Sequence, residues 1–269
     1  MRNLSKYFTI ATDYTIKLGS MPPSYPTPWK LVPSLAAAML FRRRRSFRQD
    51  ARAAIHLLQS PLEVRGGEHI PASGPFLLTI NHYGRPGFMA WWLVFALSAN
   101  LPVEVHWIMT GAWIFPGKWY EALVGRLTTW LFRQIAGVYG FTNMTPIAPY
   151  SDEVEGRARA VRRALAYARR APQPVIGLAP EGRNHPDAVL GPLPPGGGRF
   201  VARLTPLCQR ILPAGIFEAG DDLCLQFGAP YRLETPAGLS GDALDAHAGQ
   251  VVMRAIAAQL PDHLRGEYA

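Results

Sequence analysis

Short apolar runs that alternate with longer amphipathic segments are the feature that most constrains the fold of this 269-residue chain. Phe76–Ile80 and Val175–Leu178 have the length and composition of buried strands. The segments between such runs are long enough for helices, and residues 154–170 carry one apolar stripe at helical spacing. Strands that alternate with helices predict an α/β fold with a mostly parallel central sheet flanked by helices.

The other predicted elements follow the same alternation. Ser151 is an expected helix N-cap, because Asp152 and Glu153 follow it in the first turn, where the helix dipole favours acidic side chains. We expect a helix or helix pair over 34–59, helices over 88–99, 119–135, 152–170 and 242–260, and strands over 62–65, 76–80, 103–109, 138–141, 175–178, 211–216 and 223–227.

The positive charge of the chain is concentrated at its N-terminus. The net charge is +9, and residues 1–60 hold ten basic and two acidic side chains. Four consecutive arginines at 42–45 lie between Phe41 and Phe47. Basic residues near an anionic membrane contribute about 1 kcal/mol each to binding. The pattern predicts a membrane-associating helical segment over 1–60 and an α/β domain over 61–269. A solvated helix face is the alternative, and no nucleic-acid motif accompanies the arginines.

Apolar runs in this sequence are too short for a membrane-spanning helix. The longest, 31–41 and 88–99, are about half of the ~20 residues that a span requires. We therefore expect a peripheral or monotopic protein on the cytoplasmic face of a membrane. Cys208 and Cys224 are far apart and near no histidine cluster, which favours free thiols in a reducing compartment and no metal site.

Two polar clusters directly follow apolar strands. Asn81 and His82 come after the first, and Glu181, Gly182 and Arg183 come after Pro180 at the end of another. Ligands of open α/β sheets bind beyond the carboxyl ends of strands, so both clusters are candidate site residues. Histidine can act as a general base, and arginine can bind an anion with two parallel hydrogen bonds. The alternatives are a structural histidine and a Glu–Arg pair that closes a turn.

Taken together, the two clusters resemble those of the 1-acylglycerol-3-phosphate acyltransferases and related glycerolipid acyltransferases, over roughly residues 62–232. Asn81 and His82 resemble the start of the family's His-x4-Asp motif, and residues 179–183 resemble its Phe-Pro-Glu-Gly-Thr-Arg block. Further matches are the Gly-rich strand at 137–143, the loop at 190–198 and the Val-Pro-Val segment at 212–216.

The resemblance implies an O-acyltransferase. It would move a fatty acyl group from acyl-CoA or acyl carrier protein to a hydroxyl of a lysophospholipid or glycerolipid-like acceptor at the membrane surface. His82 would be the general base. The implied substrate contacts are Asn81, Arg85, Glu181, Gly182 and Arg183. Neither a metal nor a bound cofactor is implied, since the thioester is a cosubstrate; the expected partners are membrane lipids and this acyl donor.

Two positions depart from the family pattern. Gly87 stands where the motif has the aspartate that orients the histidine, and the loss of such a carboxylate can cost about 10⁴ in rate. Glu181, Asp187 or a backbone carbonyl are candidates to replace it. Asn143 stands where the family has an arginine that grips the acceptor phosphate, so a phosphate would be held less strongly.

Other functions stay open at this point. A non-catalytic lipid-binding protein with the same fold is favoured by the two departures. A hydrolase is less favoured, because the sequence has no Gly-x-Ser-x-Gly turn. Residues 88–93 include two tryptophans and are expected to border an acyl-chain channel, lie in the membrane interface, or pack in the core.

Overall fold

The computed structural model describes residues 25–113, 117–146, 154–183, 185 and 187–269. Seven α-helices lie within these residues: α1 (Val32–Leu40), α2 (Phe47–Ile55), α3 (Trp91–Asn100), α4 (Glu121–Tyr139), α5 (Val154–Arg170), α6 (Gly197–Cys208) and α7 (Gly241–Ala257). Seven strands accompany them: β1 (Leu62–Arg65), β2 (Phe76–Ile80), β3 (His106–Thr110), β4 (Thr142–Met144), β5 (Val175–Leu178), β6 (Ile211–Ala219) and β7 (Asp222–Phe227).

The strands form one sheet in the order β1-β7-β6-β2-β5-β3-β4. Neighbouring strands are parallel, except that β6 and β7 are antiparallel. Every residue of β2 and β5 is buried, as expected of central parallel strands that are covered on both faces. The predicted α/β fold with a mostly parallel sheet is confirmed.

Part of the basic N-terminal segment belongs to the main core. In α2, Phe47 stacks on Phe95 of α3 with ring centroids 5.5 Å apart. The Nε–H of Arg45 donates to Asp50 Oδ2 at 2.8 Å, and the hydroxyl of Tyr139 donates to the same oxygen at 2.7 Å. One of the four arginines is thus a structural partner of α2 and α4. The boundary at residue 60 stays a prediction, because residues 1–24 lie outside the described part.

Several predicted boundaries differ from the structure. The segment 34–59 is a helix pair, divided where Arg42 adopts a φ of 50° and Ser46 caps α2. The strand predicted over 138–141 is wrong: α4 continues to Tyr139, because Val138 extends its buried face, and ends at Gly140 with a φ of 78°. The strand predicted over 103–109 begins only at His106. The expected cap Ser151 lies outside the described residues.

Within the described residues, none of the helices combines the length and the apolar character that crossing a bilayer requires.

Candidate active site

The two polar clusters meet at the carboxyl edge of the sheet. Strands β2 and β5 are parallel neighbours, and Thr79 pairs with Leu178. His82 and Glu181 each follow the paired residue of their own strand by three positions. This register brings the ends of the two strands side by side, as the sequence predicts for a site at this edge.

Glu181 joins the first cluster to the loop before α6. It is 1% exposed. Its Oε1 accepts the backbone N–H of His82 at 2.5 Å, and its Oε2 accepts the backbone N–H of Gly191 at 2.8 Å. Burial raises the pKa of Glu181 to about 7, against the opposing effect of these two donors. Both oxygens, predicted to face a substrate, are therefore hydrogen-bonded to backbone in this structure.

Asn81 joins the same cluster to β6. Its side chain is 1% exposed and makes two hydrogen bonds to one residue. Nδ2–H donates to the carbonyl of Ile216 at 2.9 Å, and Oδ1 accepts the N–H of Ile216 at 2.8 Å. The amide therefore fixes the backbone next to His82 through contacts within the protein, where the sequence predicted a substrate contact.

The His82 imidazole is partly exposed, and its Nδ1 is buried without a hydrogen-bond partner among the described residues. Burial lowers the pKa of His82 below its usual 6.5, and the nearby His185 lowers this pKa further. The ring is therefore neutral at pH 7 and able to accept a proton.

Neither acidic candidate for orienting this ring does so. Glu181 bonds to the backbone N–H of His82, and Asp187 accepts the N–H of Val189 at 3.3 Å. Gly87 lies exposed in a left-handed conformation with a φ of 83°, which disfavours any larger side chain there.

Arg85 is paired with a carboxylate that the sequence reasoning missed. Its Nε–H donates to Glu218 Oε2 at 2.5 Å, and its Nη2–H donates to Glu218 Oε1 at 2.8 Å. The hydroxyl groups of Tyr25 and Tyr83 donate to the same carboxylate at 2.5 and 3.0 Å. Glu218 thus holds the loop after His82 through an ion pair with Arg85, and the substrate contact of Arg85 stays a prediction. The sequence signal that could have identified Glu218 is a carboxylate directly after the apolar run 211–217.

Gly182 and Arg183 form an exposed turn beyond β5. Gly182 has a φ of 66° and donates its N–H to the carbonyl of Ala179 at 3.1 Å. The Arg183 side chain is exposed, and no ion pair or hydrogen bond joins it to another described residue. Of the predicted contact residues, Arg183 is thus the one whose charge faces solvent at the site edge.

Seven further polar side-chain atoms lie buried without a partner among the described residues, and two of them bear on the predicted site. One is Oδ1 of Asn143, on β4 at the edge of the sheet. The other is Nε2 of His185, whose ring covers Gly191 so closely that a Cβ there would lie 1.7 Å from that nitrogen. His185 also lies close enough to His82 to affect the pKa of that ring.

Comparisons with known proteins add little to this description. No family model matches the chain, and no curated protein matches it. Among solved structures it is similar to the 1-acyl-sn-glycerophosphate (LPA) acyltransferase PlsC from Thermotoga maritima, with 15% sequence identity and a TM-score of 0.44. The match covers 84% of this chain and 81% of that chain. A similarity this low carries no inference about function.

Proposed function

We propose that this protein is an O-acyltransferase that uses His82 as its general base. The observation that carries the proposal is a neutral, partly exposed imidazole held at the carboxyl edge of the sheet by buried backbone contacts. Three of the blocks that resemble glycerolipid acyltransferases, at 212–216, 81–82 and 179–183, lie on or beyond β6, β2 and β5, which are consecutive in the sheet. Three segments that are distant in sequence thus contribute to one site.

The reaction requires one proton acceptor. His82 takes the proton of an acceptor hydroxyl as its oxygen attacks the carbonyl carbon of an acyl thioester. The carbon–sulfur bond then breaks, and the imidazolium returns the proton to the departing thiolate. No covalent acyl-enzyme forms in this reaction, and no metal or bound cofactor takes part in it.

The exposed charge at the site supports the proposed acceptor. Arg183 would contact a polar or anionic group of a lysophospholipid or glycerolipid-like acceptor. Gly182 and the solvent-facing part of the turn would border the same acceptor. The donor would be acyl-CoA or acyl carrier protein, and the location would be the cytoplasmic face of a membrane.

The test is acyl transfer from labelled acyl-CoA to a panel of lysolipids and polyols by purified protein. His82→Gln should reduce kcat/KM by about 10²–10⁴, the usual contribution of a general base. The exposed His263 offers a matched control, His263→Gln, which should leave the rate unchanged. Because the pKa of His82 is lowered, the acid limb of the wild-type pH profile should lie below pH 6.5. Full activity of the His82→Gln variant would refute the proposed mechanism.

A non-catalytic lipid-binding protein is the second candidate. The observation that favours it is the buried Nδ1 of His82, which has no carboxylate partner among the described residues. The same panel separates the two functions. Lipid that is retained across the panel without any product would support the binding protein, whereas product that depends on His82 supports the enzyme.

A further inference from the structure

Exposed apolar side chains are concentrated in one region of the surface. Eleven large apolar side chains are exposed among the described residues, and nine of them lie within 29–41 and 113–130. The most exposed in the second range are Trp119 at 93%, Leu123 at 70%, Leu127 at 58% and Trp130 at 55%. Exposed apolar residues in such a group indicate an interaction surface.

Three of these side chains share one face of α4. Leu123, Leu127 and Trp130 are spaced by four and three residues, which places them along one side of a helix. Arg126 and Arg133 are exposed beside them, and neither is paired with a carboxylate in the described part of the chain. Together with Trp119, these five residues are called the α4 face below.

The end of α1 extends the α4 face. Helix α1 packs against α4, and Leu40 and Phe41 at its end are 77% and 64% exposed. The arginines at 42, 43 and 44 follow and are also exposed. The backbone N–H of Arg45 donates to the carbonyl of Val138 at 3.1 Å, which fixes this basic segment against the C-terminal end of α4.

We propose that the α4 face, together with the end of α1, binds the surface of an anionic lipid bilayer. Tryptophan and leucine beside unpaired arginines match the apolar interior and the negative headgroups of such a surface. A second copy of the chain fits less well. A two-fold dimer built on this face would bring the arginines of both copies into one interface, and the α4 face has no carboxylate to pair with them.

The orientation of α4 relates this surface to the candidate site. Strands β3 and β4 are parallel, so the helix that joins them runs back along the sheet and begins at its carboxyl edge. The backbone N–H of Trp113, three residues after β3, donates to Thr128 Oγ1 at 3.2 Å. Residues 119–127 therefore project past the edge that carries His82, and a lipid bound there would lie on the same side as the site.

Vesicle sedimentation tests the proposal without any acyl donor or acceptor, so its outcome is independent of the proposed reaction. The probes are vesicles of phosphatidylcholine alone and of phosphatidylcholine mixed with phosphatidylserine. The wild-type chain should bind the mixed vesicles. The variant Leu123→Gln/Leu127→Gln/Trp130→Gln should partition at least about 100-fold more weakly, since each buried apolar side chain contributes substantially to interfacial binding.

The charge and the location of the surface are tested separately. Arg126→Gln/Arg133→Gln should weaken binding to the mixed vesicles roughly tenfold or more. The control Val64→Gln/Val154→Gln alters exposed valines elsewhere and should bind as wild type does. Unchanged thermal unfolding would show that each variant is folded.

Three results would overturn the proposal: no binding of the wild-type chain to mixed vesicles, equal binding of the triple variant, or equal loss in the valine control. A dimer that the wild-type chain forms without lipid, and that the triple variant does not form, would assign the α4 face to a second copy. That result would also overturn the proposal.

Discussion

Replacing Glu181 by glutamine should change how the stability of the protein depends on pH. The glutamine keeps the size of the side chain and removes its titration. One of the two backbone N–H groups, of His82 or Gly191, would then face an amide group that cannot accept its hydrogen bond. That loss shifts the free energy of unfolding equally at every pH, so the pH dependence isolates the carboxyl group.

The magnitude follows from the burial of Glu181. Its pKa rises from 4.5 to about 7, and each pH unit between these values corresponds to about 1.4 kcal/mol. Between the two values the unfolded chain has lost the proton and the folded chain retains it. The contribution of Glu181 to stability is therefore fully present below pH 4.5 and is lost as the pH rises through 7, by roughly 3 kcal/mol in total.

Urea unfolding near pH 4.5 and near pH 8 measures this difference. The free energy of unfolding of the wild type, relative to Glu181→Gln, should fall by roughly 3 kcal/mol between the two conditions. The exposed residue Glu234 supplies the control, because Glu234→Gln should show no comparable change. If the difference in free energy of unfolding between wild type and Glu181→Gln is the same at both pH values, the reasoning is refuted.

Two further substitutions test the contacts around His82. Asn81→Ala leaves the N–H and the carbonyl of Ile216 unpaired, so we expect a loss of about 2–4 kcal/mol in urea unfolding, whereas the partly exposed Asn100→Ala should lose less than 1 kcal/mol. An equal loss in both variants would contradict the role given to Asn81. Glu218→Gln removes the charge that holds the loop after His82, and we expect kcat/KM for His82-dependent transfer to fall about tenfold. An unchanged kcat/KM would show that this loop does not position His82.

Local sequence determined the fold class and the place of the site. The runs Phe76–Ile80 and Val175–Leu178 are strands with the predicted bounds. Because each ends in a polar cluster, the meeting of His82 and Glu181 at one edge of a parallel sheet was predictable. The C-terminal limit of α4 was not predictable, because the apolar run through Val138 suits a strand as well as a helix. A glycine in a left-handed conformation, Gly140, ends the helix.

The roles of individual side chains depended on tertiary contacts. Asn81 bonds to Ile216, and Arg85 bonds to Glu218, across more than a hundred residues of chain in each case. A sequence motif identifies which polar groups lie at the site, but a hydrogen bond forms with whichever donor or acceptor the fold brings within about 3 Å. The sequence therefore determined that this edge of the sheet carries a histidine and a carboxylate. Only the tertiary structure decided that the carboxylate holds the backbone of His82 and leaves its ring without an acidic partner among the described residues.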